Sequence, residues 1–256
     1  MTFARLPRPP RGLARAAACL GVCAGLLALA ACSSPASHFY TLGDSDAPTT
    51  ARSTVAPALL IEVPPVDVPP QDAKNQMVVQ TGPTQVQILE QERWASLPGD
   101  EIRHALSSDL TQQLGTIDVY GTAYPEGTRV YRVSVNVQRF ESWPGSHALI
   151  DAVWSVRAVG SQTIMTCRSI VNRPVTGSYD ALVDGHRQAL QQISTQIAAG
   201  IRTMAAAPQV NTAAPARKTP GGAAHAASTL IPAALPCPAA AEPSASVSGA
   251  GAGMNG

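Results

Sequence analysis

Residues 129–140 read RVYRVSVNVQRF. Tyr131, Val133, Val135 and Val137 alternate with Arg132, Ser134, Asn136 and Gln138, and successive side chains of a strand point to opposite faces. The stretch therefore predicts a long strand with one face in a core and the other in water. Trp143-Pro144-Gly145-Ser146 supplies a turn. After it Ala148, Ile150, Ala152, Trp154, Val156 and Ala158 repeat the alternation opposite Asp151, Ser155 and Arg157. Residues 162–172 form a third run, and three successive strands with short connections predict an antiparallel meander with a single hydrophobic face.

Elements on both sides complete the domain. Upstream, residues 117–120 predict a short strand. Before it, Ile102, Leu106, Leu110 and Leu114 recur every four residues, with Asp100 and Glu101 in the first turn and Gly115 after the last. That pattern predicts a helix, entered through residues 92–98. Residues 76–80 and 84–89 flank Thr81-Gly82-Pro83 as a hairpin, residues 59–63 form a strand halted by Pro64 and Pro65, and residues 38–42 form an extended stretch before a polar loop over 43–58. Downstream, residues 180–204 predict a second helix, with Leu182, Leu190, Ile193, Ile197 and Ile201 on one side and Gln188, Gln191, Gln192 and Gln196 on others. Interleaved strands and helices predict an α/β or α+β fold: a single domain with a mixed sheet, an antiparallel meander and two main helices packed on it.

Composition divides the 256-residue chain into three parts. Arg5, Arg8, Arg11 and Arg15 precede an uncharged apolar run over residues 16–31. As a helix that run spans about 24 Å, short of the roughly 30 Å hydrocarbon core, so residues 1–31 read as an export signal. Without those arginines, 14 positive charges face 17 negative ones and only two lysines are present, which gives no phosphate-neutralising surface and excludes a nucleic-acid partner. Residues 32–205 carry the predicted domain. Residues 206–256 hold 17 Ala, 7 Pro, 6 Gly and no aromatic, too little apolar surface to offset backbone entropy, and predict a disordered tail.

The leader ends in Leu29-Ala30-Ala31-Cys32. This sequence resembles the bacterial lipobox, in which Leu29, Ala30 and Ala31 are read by the lipoprotein signal peptidase and Cys32 is lipidated. Cys19 abuts the basic head and Cys23 follows the β-branched Val22, so Cys32 alone fits. The resemblance implies covalent diacylglycerol and N-acyl groups on Cys32, a mature chain beginning there, and no other cofactor. Two or three acyl chains, at about 0.8 kcal/mol per buried methylene, make such anchoring effectively permanent. Ser33, where an aspartate would retain a lipoprotein in the inner membrane, favours the periplasmic face of the outer membrane. Of the remaining cysteines, a buried, apolar Cys167 and an inert tail thiol at Cys237 are expected in preference to a bridge between them.

Chemical constellations are few. Gly43-Asp44-Ser45-Asp46 resembles the nucleophile turn of GDSL-type esterases, but the activating pair is approached only by Asp184-Gly185-His186, at the wrong spacing, so a polar turn is expected. Glu101 and His104 lie three apart on a helix and read as a solvated face in preference to a metal site. His38, His147, His186 and His225 are scattered singly. No metal site, no phosphate loop and no catalytic residues are predicted.

Four pieces in order do reach a family. The stretch Cys32 to Leu42, with Phe39-Tyr40-Thr41-Leu42 close behind the lipobox, is followed by Leu60 to Val66, by Glu92-Arg93-Trp94-Ala95 ahead of an amphipathic helix, and by the paired strands that include Trp154. Over Cys32 to Met204 the chain resembles the ABC-type transport auxiliary lipoproteins, the PqiC/YmbA-like group. The resemblance implies a non-catalytic outer-membrane lipoprotein contributing to envelope integrity. Its implied partners are an MCE-domain protein that spans the periplasm and carries lipid between the membranes, and further copies of itself in a ring. Trp94 and Trp143, beside prolines and turns, read either as interface anchors or as the rim of the core. The alternatives are a stand-alone periplasmic lipid-binding lipoprotein and a GDSL-like esterase.

Overall fold

The computed structural model describes residues 35–43, 57–207 and 235–238. The leader, the lipobox, Ser45 and His225 lie outside them. Among the described residues the order is β1 (His38–Tyr40), β2 (Leu60–Glu62), β3 (Gln76–Gly82), β4 (Gln85–Trp94), α1 (Pro98–Leu114), β5 (Val130–Trp143), β6 (His147–Ala158), β7 (Ile164–Pro174) and α2 (Tyr179–Ala206). The architecture is mixed α+β.

The alternation in residues 129–140 makes β5 the spine of the meander. β5 pairs antiparallel with β6, placing Val133 opposite Val156 and Val135 opposite Trp154, and β6 pairs antiparallel with β7, placing Trp154 opposite Cys167. A register shift between Val137 and Arg139 inserts one residue and inverts the alternation. Phe140 and Ser142 thereby turn to the core side, where both are buried. β2 joins parallel to β5, giving the order β2-β5-β6-β7.

The hairpin β3–β4 and β1, which runs parallel to β4, form a separate three-stranded sheet of order β1-β4-β3. The strands thus divide between two sheets, where the sequence pattern suggested one. Two local expectations also change. Glu92, Arg93 and Trp94, read as the approach to the helix, end β4 and pair with β1, while the helix starts at Pro98 with Asp100 and Glu101 in its first turn, as its spacing predicts. Residues 117–120 contribute a single bridge, Asp118 to Ile61: Val119 is buried but Ile117 and Tyr120 stay exposed, and one buried side chain does not hold a strand in place.

α2 lies on β6 and β7, and α1 packs against α2. The apolar rows behave as their spacing demands, since Ile102, Leu106 and Leu110 of α1 and Leu182, Leu190, Ile193, Ile197 and Ile201 of α2 are all buried in one cluster with Tyr131 and Trp154. α2 approaches the sheet closely at Gly185, where an added Cβ would meet Val175 Cγ2 at 2.7 Å and Ala148 Cβ at 2.9 Å.

The cysteines depart from expectation. Cys167 and Cys237 are joined in a disulfide across 70 residues. Cys167 is buried as predicted, but its partner is the tail residue expected to be inert. Closing a loop of that length removes roughly 4 kcal/mol of unfolded-state freedom in the chain-entropy account. The Leu235 N–H donates to the Ile164 carbonyl at 3.4 Å, and the Leu235 side chain packs on the core. A 51-residue composition average conceals this four-residue attachment, because its alanine-rich surroundings dominate the count.

Candidate functional site

Among the described residues, three places bear on the chemistry expected from the sequence. The first is the corner where β1, β4 and α1 meet. Glu101, in the first turn of α1, is 4% exposed. Its Oε2 accepts the Thr41 hydroxyl at 2.7 Å and the Leu42 N–H at 2.9 Å. Its Oε1 accepts the Ser96 hydroxyl at 2.6 Å and the Ser96 N–H at 3.0 Å. Burial pushes the carboxyl pKa up, but the donors from Ser96, Thr41 and Leu42 outweigh it and hold the group below the usual range. Glu101 is therefore a buried clasp, which corrects its assignment to a solvated face. His104 is exposed, so the two side chains do not converge. Among the described residues no three His, Cys, Asp or Glu side chains gather as metal ligands.

The second is a buried Ser–His pair. His186 of α2 is fully buried, with Phe140 stacked on its ring at 4.2 Å and Trp94 edge-on at 6.3 Å. Its Nε2 lies 2.9 Å from Ser142 Oγ, a contact made by the register shift in β5. Burial drives the imidazole pKa down to about 3, so the ring is neutral at physiological pH. Nδ1 is buried without a partner. Sealed from solvent, the pair holds β5 to α2, and among the described residues no third group orients the ring. His186, committed to Ser142 in the core, is not available to activate Ser45.

The third is an open groove of about 520 Å³ between α1 and α2, lined by polar side chains that include Asp109, Gln112, Gln113, Arg173, Gln188 and Gln192. Arg173 Nη2 donates to Gln192 Oε1 at 2.7 Å, and Ser194 donates to Asp109 at 3.0 Å. Its lining holds no apolar side chain, so it offers nothing to an acyl chain. Glutamines 188, 191 and 192 were legible in the sequence as the polar side of α2. Their meeting with the end of α1 was not, since it depends on how the helices cross.

Of the two tryptophans, Trp94 is 2% exposed and belongs to the core. Trp143 is half-buried; its indole N–H donates to Glu141 at 2.9 Å and its ring stacks on His147 at 5.5 Å. They sit on different surroundings and form no common patch. Cys32, Leu29, Ala30 and Ala31 lie outside the described residues. No helix among the described residues is long and apolar enough to cross a membrane.

The fold resembles solved structures. A crystal structure of an uncharacterised protein superposes with a TM-score of 0.52 at 22% identity, over 65% of this chain and 99% of that one. A second, a Xanthomonas campestris protein of the family DUF330, gives a TM-score of 0.46 at 16% identity over 66% of this chain and 98% of that one. No curated protein matches the chain. A family profile, ABC-type transport auxiliary lipoprotein component, matches residues 40–198, from β1 to the middle of α2. Because that span covers well over half of the sequence, the chain belongs to the family of ABC-type transport auxiliary lipoprotein components.

Proposed function

We propose that this protein is a non-catalytic docking lipoprotein, anchored by acyl groups on Cys32 to the periplasmic face of the outer membrane. In this reading it serves an MCE-type system that moves lipid between the two membranes, receives the MCE-domain protein of that system, and assembles as a homo-oligomeric ring. The observation that carries the reading is the family match beginning at β1, with five residues between Cys32 and His38. A folded domain thus follows the lipobox directly. The sealed Ser142–His186 pair and the polar α1–α2 groove support docking over ester hydrolysis or storage of a lipid.

The test is labelling of cells with a palmitate analogue, followed by membrane fractionation and cross-linking. Incorporation should be lost in Cys32→Ser, the labelled protein should travel with outer-membrane markers, and cross-linking should recover an MCE-domain protein and oligomers of the chain. Incorporation that persists in Cys32→Ser removes the anchor. Phospholipid retained by purified Cys32→Ala protein, with no MCE cross-link, would favour a stand-alone lipid carrier.

A further inference from the structure

The meander ends at β7, whose outer edge carries backbone groups free to pair with another strand. Part of that edge is taken by the chain itself. The Leu235 N–H donates to Ile164 O, Cys237 Sγ lies 3.3 Å from the Thr166 carbonyl, and Cys237 is bonded to Cys167. Moving from Leu235 to Cys237 therefore advances the contact from Ile164 to Thr166 and Cys167, so the segment runs extended and in the same direction as β7.

In an extended segment successive N–H groups point to opposite sides. The Leu235 N–H faces β7, and in the alternation that follows from it the outward positions fall on Pro236 and Pro238. Proline has no N–H to offer. The outward side of the segment is thus stripped of donors at both positions.

We infer that Leu235–Pro238 is an edge cap: a covalently held segment of this chain that occupies the outer edge of β7 at Ile164–Cys167 and ends the sheet there against pairing with a strand of a second copy, over the first part of β7. The bridge makes the cap reversible. Cys237 is exposed while Cys167 is buried, so the Cys237 side of the bridge is the one open to an external thiolate. A dithiol reductant transfers two electrons and two protons to the bridge, the S–S bond breaks to give two thiols, and the reductant leaves as its own disulfide. Beyond the bridge, among the described residues the cap is held by one backbone hydrogen bond and the packing of Leu235. The inference does not depend on the lipid anchor or on an MCE partner.

Hydrogen exchange of the full chain in detergent, oxidised and after dithiothreitol, tests the occupancy. The Leu235 amide should exchange at least tenfold faster after reduction, while amides of β5 and β6 stay protected. An unchanged Leu235 rate overturns the cap. The role of the prolines is tested with the bridge intact, by sedimentation of the Pro236→Ala/Pro238→Ala double variant. Restored outward donors should give concentration-dependent association beyond that of the unaltered chain, whatever its own oligomeric state, and association equal to the unaltered chain overturns the sheet-ending role. Cys237→Ser, which bares β7, should associate likewise, and its circular dichroism distinguishes an opened edge from a lost fold.

Discussion

Asp151 and Arg168 meet across β6 and β7 in a two-pronged contact, with Arg168 Nε and Nη2 donating to the two carboxylate oxygens at 2.8 and 2.6 Å. Asp151 is 1% exposed although it lies on the polar side of the meander. Arg168 covers it, and its hydrogen bonds hold the carboxyl below the ordinary aspartate range against the effect of burial. A carboxylate whose folded pKa is depressed stabilises the fold above its unfolded pKa and loses that contribution as pH falls through the folded value. Arg168→Met should lower the urea midpoint at pH 7, and the gap from the unaltered chain should close as the pH is taken below 4. A gap of constant size would sink the assignment.

Glu101 holds the β1 end and the β4–α1 corner through four donors. Glu101→Gln keeps the shape but turns an NH₂ group toward donors. The expected loss is about 2 kcal/mol, the scale of a hydrogen bond to a charged group, measured by urea unfolding at pH 7. Amides near Leu42 and Ser96 should exchange faster.

His186 gives the domain a pH dependence near neutrality. Its folded pKa of about 3 lies far below the ordinary imidazole value of 6.5, so the unfolded chain takes up a proton first and the histidine's contribution is lost as pH falls below 6.5. The loss between pH 7 and pH 5 is about 2 kcal/mol. Asp72, whose buried carboxyl is raised to about 6, acts in the opposite sense. The measurement is therefore the difference between the unaltered chain and His186→Leu. The variant should be less stable at pH 7, where Ser142 loses its partner, and the deficit should shrink or reverse by pH 5. Parallel pH profiles would contradict a neutral, buried ring.

Two glycines of α2 should respond oppositely to the same change. Alanine gains roughly 1 kcal/mol in helix propensity at either position. At Gly185 the new methyl meets Ala148 Cβ at 2.9 Å, which cannot move without the sheet. At Gly200 the nearest atom is the flexible Met165 Sδ at 3.0 Å. Gly185→Ala should cost about 1–2 kcal/mol net and Gly200→Ala should fall within about 1 kcal/mol of neutral, both read from thermal melts.

The meander and both helices were legible because their apolar positions recur at the period of the element that buries them. Val133 and Val135, or Ile193 and Ile197, report a face whatever lies opposite. Less legible was anything set by a break in period. The register shift after Val137 carries Phe140 and Ser142 across to His186, and no residue type announces it. Glu101 read as solvated because a helical carboxylate usually is; only the approach of Thr41, Leu42 and Ser96 reverses that. The bridge escaped because Cys237 is isolated in sequence and its value depends on an edge strand 70 residues earlier.

That separation also has a meaning in time. In the export proposed above the chain crosses the membrane from its N-terminus, so all of α2 emerges before Cys237 does. The Cys167 thiol must wait, unpaired, while the helix that covers its sheet is completed. A bond that arrives so late cannot guide the search for the fold. It seals a structure whose other elements precede it, so the reduced chain should regain the same fold with roughly 4 kcal/mol less global stability in the chain-entropy account.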